Sequence, residues 1–129
     1  MDSDTGVVRT YNDVMQTKLN EEYFMVAGKK EGPYKQYFFN SNTVLFQCNY
    51  VNDKLEGACY HYYDNGQLQI CRHFVNHSEE GECKEYYKSG LLKYCYTIIN
   101  GKKTGEFRAY DENGVLTSIY NYATYTNVS

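Results

Sequence analysis

Cysteine and histidine are the residues best able to do chemistry in this sequence. Four of the five cysteines recur every 12 residues, at Cys59, Cys71, Cys83 and Cys95. His61 and His73 stand two positions after the first two of these cysteines. Two thiolates and two imidazoles can hold zinc in a tetrahedron. However, the spacing is not that of a zinc finger, and a flat sheet presents side chains in parallel directions. We therefore expect no metal and no cofactor, and the four residues of the two Cys-x-His pairs remain the alternative.

A repeat of about 24 residues positions these side chains. One series of glycines recurs at intervals of 25, 24 and 24 residues, and a second series recurs at intervals of 24. A tyrosine stands five positions after each glycine of the first series, and a leucine stands two positions after each glycine of the second. The repeat-defining residues are Gly32, Tyr37, Gly57, Tyr62, Gly66, Leu68, Gly81, Tyr86, Gly90, Leu92, Gly105, Tyr110, Gly114 and Leu116.

Each repeat reads as a β-hairpin. Asp64-Asn65-Gly66 is a hairpin-turn signal, because glycine supplies the positive φ that such a turn needs. Residues 92–98 then alternate between apolar and more polar types, which is typical of a strand with one buried face. We therefore predict an all-β fold, an elongated antiparallel meander of tandem β-hairpin repeats in a single twisted sheet. Residues 1–29 form an N-terminal cap with a decayed repeat, 30–122 about four repeats, and 123–129 a C-terminal tail.

The period also predicts which residues face each other. If the turns are symmetric, Tyr62 faces Leu68 and Tyr60 faces Ile70, and the recurring tyrosines and leucines form the spine of the core. The cysteines then form one row on the opposite face, with Cys59 opposite Cys71 and Cys83 opposite Cys95. A buried ladder of small apolar side chains is the main interpretation, and inducible cross-strand disulfides are an alternative. The first-series glycines let a neighbouring aromatic ring lie over the backbone.

The repeat resembles the MORN-repeat family in its degenerate variant form. The segment over residues 56–68 reads EGACYHYYDNGQL, and similar segments begin at Glu80-Gly81 and Thr104-Gly105. The resemblance covers about residues 30–122. It implies a β-hairpin meander used for protein–protein contacts, and some members of the family are linked to phospholipid binding or are labelled antitoxins. The family has no shared catalytic residues, so the resemblance implies none here.

Charge and motifs narrow the function. A net charge of −3 disfavours nucleic acid or an anionic membrane as partner. The sequence has no glycine-rich nucleotide motif, phosphate loop or nucleophile elbow, so we expect no enzyme. We expect a scaffold that binds another protein or itself, with a homodimer through the sheet edges as one form. The alternatives are a phospholipid-surface adaptor and an antitoxin-like binding protein. The candidate binding residues are Tyr60, Tyr63, Tyr87, Tyr94 and Tyr96, since tyrosine is enriched at interfaces.

The compartment follows from the N-terminus and the composition. The first residues are acidic and lack the apolar stretch of a signal peptide, and no 18-residue apolar run is present. We therefore expect a cytoplasmic protein with free thiols. Abundant Tyr, Asn and Lys with little Ala and Arg indicate an AT-rich genome, such as that of a protist or a giant virus. For a viral protein the expected location is the host cytoplasm or the virion.

Overall fold

The computed structural model describes residues 4–122, and its regular elements in this range are all β-strands. The prediction of an all-β chain is therefore confirmed. The strands are β1 (Gly6–Tyr11), β2 (Leu19–Val26), β3 (Lys29–Tyr37), β4 (Val44–Val51), β5 (Lys54–Leu55), β6 (Gly57–Tyr62), β7 (Leu68–Val75), β8 (Ser78–Glu79), β9 (Gly81–Tyr86), β10 (Leu92–Ile99), β11 (Lys102–Tyr110) and β12 (Leu116–Tyr122).

The strands form one open antiparallel sheet. Ten of them follow one another in the order β1-β2-β3-β4-β6-β7-β9-β10-β11-β12, while the short β5 and β8 pair with β4 and β7. Each strand lies beside the next one in the chain, because a short turn can only join neighbouring antiparallel strands. The predicted meander of hairpins in a single sheet is confirmed. The predicted tail, residues 123–129, lies outside the described residues.

One set of turns explains the asparagines that recur between repeats. Asn52 and Asp53 have φ angles of 53° and 73°, and Asn76 and His77 have φ angles of 51° and 74°. Positive φ at both central residues is the signature of a type I′ turn, whose twist matches that of the flanking strands. Asparagine occupies the first position because it tolerates this left-handed conformation better than most residues do.

The register shifts by two residues at each glutamate–glycine pair. On β4, Tyr50 pairs with Leu55, but Gln47 pairs with Tyr60. Gly57 lies within this irregularity with a φ of 87°, and a Cβ added there would meet no atom within 4 Å. The expectation that an overlying ring requires the glycine is therefore wrong at this position. Phe74 does face Gly57, but the positive φ is what excludes other residues.

A second register shift inverts the predicted faces. His61 pairs with Ile70 and Tyr62 with Leu68, so one extra residue lies on β7. Tyr62 therefore faces Leu68 as predicted, but Tyr60 faces Cys71 instead of Ile70. Partner residues share a face, and a one-residue slip moves a side chain to the other face.

The predicted cysteine row is wrong for the same reason. Cys59 pairs with Arg72 and not with Cys71, and Cys83 pairs with Tyr96 and not with Cys95. Cys59 and Cys83 consequently lie on one face of the sheet, and Cys71 and Cys95 lie on the other. The two cysteine pairs proposed for disulfides from the spacing cannot form.

The core lies on the face that carries Cys59 and Cys83, which we call the aromatic face. Its two clusters of buried residues consist of Tyr34, Cys48, Cys59, Cys83, Tyr96 and Ile98. Half-buried aromatic side chains, such as Phe46 and Phe107, pack against these clusters. Large rings next to small thiols let a single sheet bury a core without a second layer. The tyrosine–leucine pairs beside the turns are not this core, since Leu116 is 40% exposed.

Candidate functional site

Glutamates tie each repeat to the next. The carboxylates of Glu31, Glu56 and Glu80 accept a hydrogen bond from the backbone N–H of Asn52, Asn76 and Asn100, at 2.8, 2.8 and 3.1 Å. These are the glutamates that precede the first-series glycines. The recurring Glu-Gly pair therefore has two roles, because the glycine allows the register shift and the carboxylate holds the following turn.

The second residue of each turn also contacts the preceding repeat. The Leu55 N–H donates to Nδ1 of His77 at 3.1 Å, as the Lys30 N–H donates to Oδ1 of Asp53 at 3.0 Å. In return, the His77 N–H donates to the Leu55 carbonyl at 2.8 Å. His77, which departs from the glycine of the family's turn, is therefore a hydrogen-bond acceptor between repeats.

Replacing His77 with alanine is expected to lower the free energy of unfolding by about 1–2 kcal/mol, because it removes an acceptor and places Cβ in a left-handed residue without polar support. His77→Asp should stay within about 0.5 kcal/mol of the native chain, since Asp53 fills the equivalent position at nearly the same φ. Urea unfolding of the three proteins measures both values. Equal losses in the two variants would show that the imidazole acceptor is not what matters.

Two of the candidate binding tyrosines are also structural links. The Tyr63 hydroxyl donates to the Tyr86 carbonyl, and the Tyr87 hydroxyl donates to the Tyr110 carbonyl, each at 2.7 Å. Their polar ends are therefore bound within the chain. The sequence analysis missed this ladder, although the 24-residue spacing of Tyr63 and Tyr87 was visible.

The other three candidate tyrosines lie in different environments. Tyr96 is 8% exposed and belongs to the core. The Tyr94 ring lies 5.4 Å from the Phe107 ring on the aromatic face. Tyr60 lines a shallow groove on the opposite face, together with Pro33 and Lys35. Binding of a partner by any of these five tyrosines stays a prediction.

The zinc alternative does not form a site. Cys59 and His61 lie on the aromatic face, whereas Cys71 and His73 lie on the opposite face. Within residues 4–122, no group of three or more His, Cys, Asp or Glu side chains is placed to hold a metal ion. His61 instead packs against Phe46, with ring centroids 4.6 Å apart. Burial and the positive charge of Arg72 lower the pKa of His61.

Lysines of the chain itself cover the aromatic face. The Lys30 ammonium lies 5.1, 5.2 and 5.1 Å from the ring centroids of Tyr23, Tyr34 and Tyr50. Cation–π contacts of this kind form within about 6 Å. At the other cluster, the Lys103 ammonium lies 5.0 Å from the Tyr96 ring. The parts of the aromatic face richest in rings are therefore already occupied.

The opposite face carries charges that are largely paired. A single register row crosses the ten main strands and consists of Arg9, Glu22, Lys35, Gln47, Tyr60, Cys71, Lys84, Cys95, Arg108 and Ile119. Arg9 pairs with Glu22 at 2.8 Å, and Arg108 pairs with Glu106 at 2.6 Å. Lys84 has Glu82 at 3.6 Å. This face therefore presents no strongly basic surface.

The two edge strands differ in character. Among the described residues, β1 and β12 each pair on one side only. β1 carries Arg9, whereas β12 has no charged residue and no proline in its seven residues. Ile119 and Tyr120 are 50% and 57% exposed on β12. The uncharged outer side of β12, which we call the β12 edge, is the candidate functional site.

An open sheet of hairpin repeats with an exposed apolar edge defines a repeat scaffold of the kind that works by contact. The family model described as MORN repeat variant matches residues 55–76, 79–100 and 103–123, half of the sequence. The chain belongs to this family. MORN repeats are generally non-enzymatic and are generally associated with the binding of proteins or membrane lipids.

Other comparisons add little. No curated protein matches the chain. A crystal structure of a mutant of S. aureus TarM in complex with Fondaparinux, alpha-GlcNAc-glycerol and UDP is similar over 80% of this chain, with a TM-score of 0.47 and 11% identity. The similarity spans only 21% of that chain. Within residues 4–122, no helix is long and apolar enough to cross a bilayer.

Proposed function

We propose that this protein is a non-enzymatic scaffold that binds a protein strand, from a second copy or from another protein, along the β12 edge. The observation that carries the proposal is the uncharged, exposed β12 strand at the end of an otherwise regular sheet. Such an edge presents unpaired N–H and C=O groups, and most natural edges are protected by charges, proline or bulges.

The side chains of β12 suit strand addition. Ile119 lies on the opposite face, next to Arg108, and Tyr120 lies on the aromatic face, next to Phe107. An added strand would therefore meet apolar side chains on both faces while its backbone pairs with β12. Backbone hydrogen bonds give affinity in such complexes, and alternate side chains give specificity.

Replacing Ile119 with lysine should abolish the association, because a charge on an edge strand opposes pairing with another strand. Light scattering across a concentration series measures self-association, and capture by the tagged protein measures a different partner. Val7→Lys is the matched control, since Val7 is 55% exposed on the other edge strand, β1, and this variant should associate like the native chain. Strictly monomeric native protein that captures no partner would overturn the proposal.

A role at a phospholipid surface is a weaker candidate. Lipid headgroups attract clusters of unpaired basic residues. Of the four basic side chains in the row on the opposite face, three form the ion pairs given above. Co-sedimentation with anionic vesicles at low salt would favour the lipid surface over the protein strand.

A further inference from the structure

The register brings together two cysteines whose spacing in the sequence does not suggest it. Across β4 and β6, Phe46 pairs with His61 and Gln47 with Tyr60. The same antiparallel register places Cys48 opposite Cys59. Both residues belong to one buried cluster, at 7% and 1% exposure. Their side chains are hydrogen-bonding partners, so the two thiols are in contact.

The local backbone geometry suits a bond between these sulfur atoms. The Asn49 carbonyl accepts the Glu56 N–H, so the backbone of Asn49 points toward the following segment. Because backbone directions alternate along a strand, Cys48 and Cys59 form a non-hydrogen-bonded pair, in which Cα atoms lie about 4.5 Å apart. A disulfide joins Cα atoms separated by about 4.4–6.8 Å. The pair is therefore at the close end of the range that a disulfide spans.

None of the other cysteines has such a partner. Cys83 is buried as deeply as Cys59, but it faces Tyr96. Cys71 and Cys95 are both partners of Lys84, on either side of β9. Two strand spacings, about 9.6 Å, therefore separate these two cysteines, which is too far for a disulfide. All five cysteines lie within the described residues, so this comparison covers every cysteine pair.

The two thiols differ in acidity and in cover. The hydrogen bond from Cys48 and the positive charge of Arg72 lower the pKa of Cys59, while that hydrogen bond and burial raise the pKa of Cys48. Cys59 is thus the better thiolate. The cover over the pair consists of half-buried side chains, Tyr50 and Phe74 among them, and not of a second layer of structure. Side-chain rotation is then sufficient to admit a small oxidant.

We propose that Cys48 and Cys59 form a redox-active dithiol that a peroxide converts to a disulfide between β4 and β6. The Cys59 thiolate attacks one peroxide oxygen, the O–O bond breaks, and the departing hydroxide takes up a proton to become water. The sulfur of Cys48 then attacks the resulting sulfenic acid, and the expelled hydroxide leaves as water with the proton of Cys48. Two thiols and one hydrogen peroxide thus become one disulfide and two waters.

The bond would reinforce the junction that lacks one of the recurring links. At the two later junctions, Tyr63 and Tyr87 donate their hydroxyl groups to the following repeat. Phe38 occupies the equivalent position in the first repeat and has no hydroxyl. A disulfide between β4 and β6 would connect these repeats covalently under oxidising conditions and release them on reduction.

The test uses the reduced full-length protein and hydrogen peroxide. After exposure, unreacted thiols are alkylated in denaturant, and the protein is digested without reductant and analysed by mass spectrometry. We expect two of the five thiols to be lost, one peptide pair linked through Cys48 and Cys59, and full recovery of the thiols with dithiothreitol. Alkylated Cys83 in the same digest shows that burial alone does not lead to oxidation.

Two variants separate the dithiol from general thiol oxidation. Cys83→Ser should still lose two thiols, whereas Cys48→Ser should form no intramolecular disulfide. Circular dichroism checks that each variant is folded, and the linked peptide of the native chain tests the proposal even if a variant does not fold. Cys48 and Cys59 that remain reduced, that proceed to sulfinic acid, or that link to other cysteines would overturn it.

Discussion

Replacing Tyr96 with alanine is expected to lower the free energy of unfolding by about 3 kcal/mol, the lower end of the range for deleting a buried aromatic side chain. The Tyr96 ring stacks on Phe107 with centroids 5.5 Å apart, and it packs in one buried cluster with Cys83. Its hydroxyl donates to the Glu85 carboxylate at 2.9 Å. In a one-layer sheet no other element can move in to fill the space, so the cavity persists.

The control is the same substitution on the edge strand. Tyr120 is largely exposed on β12 and stacks mainly on Tyr122, so Tyr120→Ala should cost less than about 1 kcal/mol. Urea unfolding followed by tyrosine fluorescence and circular dichroism gives both values. Similar losses in the two variants would mean that the core is not concentrated on the aromatic face.

The hairpins were predictable because the repeat shows itself through backbone requirements. Glycine recurs where φ is positive, as at Gly57 and Gly66, and Asn recurs at the type I′ turns. These positions accept few residue types, so the period of the chain is visible even when other positions vary. The pairing of Tyr62 with Leu68 could be predicted because it lies directly beside a turn.

The faces of the sheet were less predictable because register errors add up away from a turn. One extra residue beside Tyr62 is enough to move Cys59 and Cys71 to opposite faces. A symmetric turn was the simplest assumption, and nothing in the residue types marks the irregularity. The glutamate before Gly57 was a usable signal, since a recurring carboxylate next to a recurring glycine indicates a recurring hydrogen bond.

Only part of the candidate site could be predicted from the sequence. That an open sheet has edges follows from the repeat, but the difference between the edges requires the strand bounds. Once β12 is known to be Leu116–Tyr122, its lack of charge is readable directly. Tyrosine was a poor guide to the surface because its ring packs while its hydroxyl seeks a partner, as Tyr63 and Tyr96 show.

Substituting valine at Gly57 is expected to destabilise the chain by about 2 kcal/mol through backbone strain alone, because a β-branched residue strongly disfavours positive φ. Gly57 has a φ of 87°, and an added Cβ would meet no atom within 4 Å, so steric crowding by neighbours does not contribute. The strain would act at the register shift between β4 and β6, where Glu56 also holds the Asn76 turn. Urea unfolding measures the loss.

Two substitutions distinguish this strain from other causes. Ala58→Val introduces the same side chain one residue later on β6, where φ is not positive, and should change the free energy of unfolding by less than about 0.5 kcal/mol. Gly57→Asn should cost about half as much as Gly57→Val, because asparagine tolerates positive φ better. If Gly57→Val is as stable as the native chain, the glycine of the repeat is not required by its backbone conformation. Its recurrence would then have to come from contacts made beyond the single chain, at a surface where a partner approaches the backbone closely.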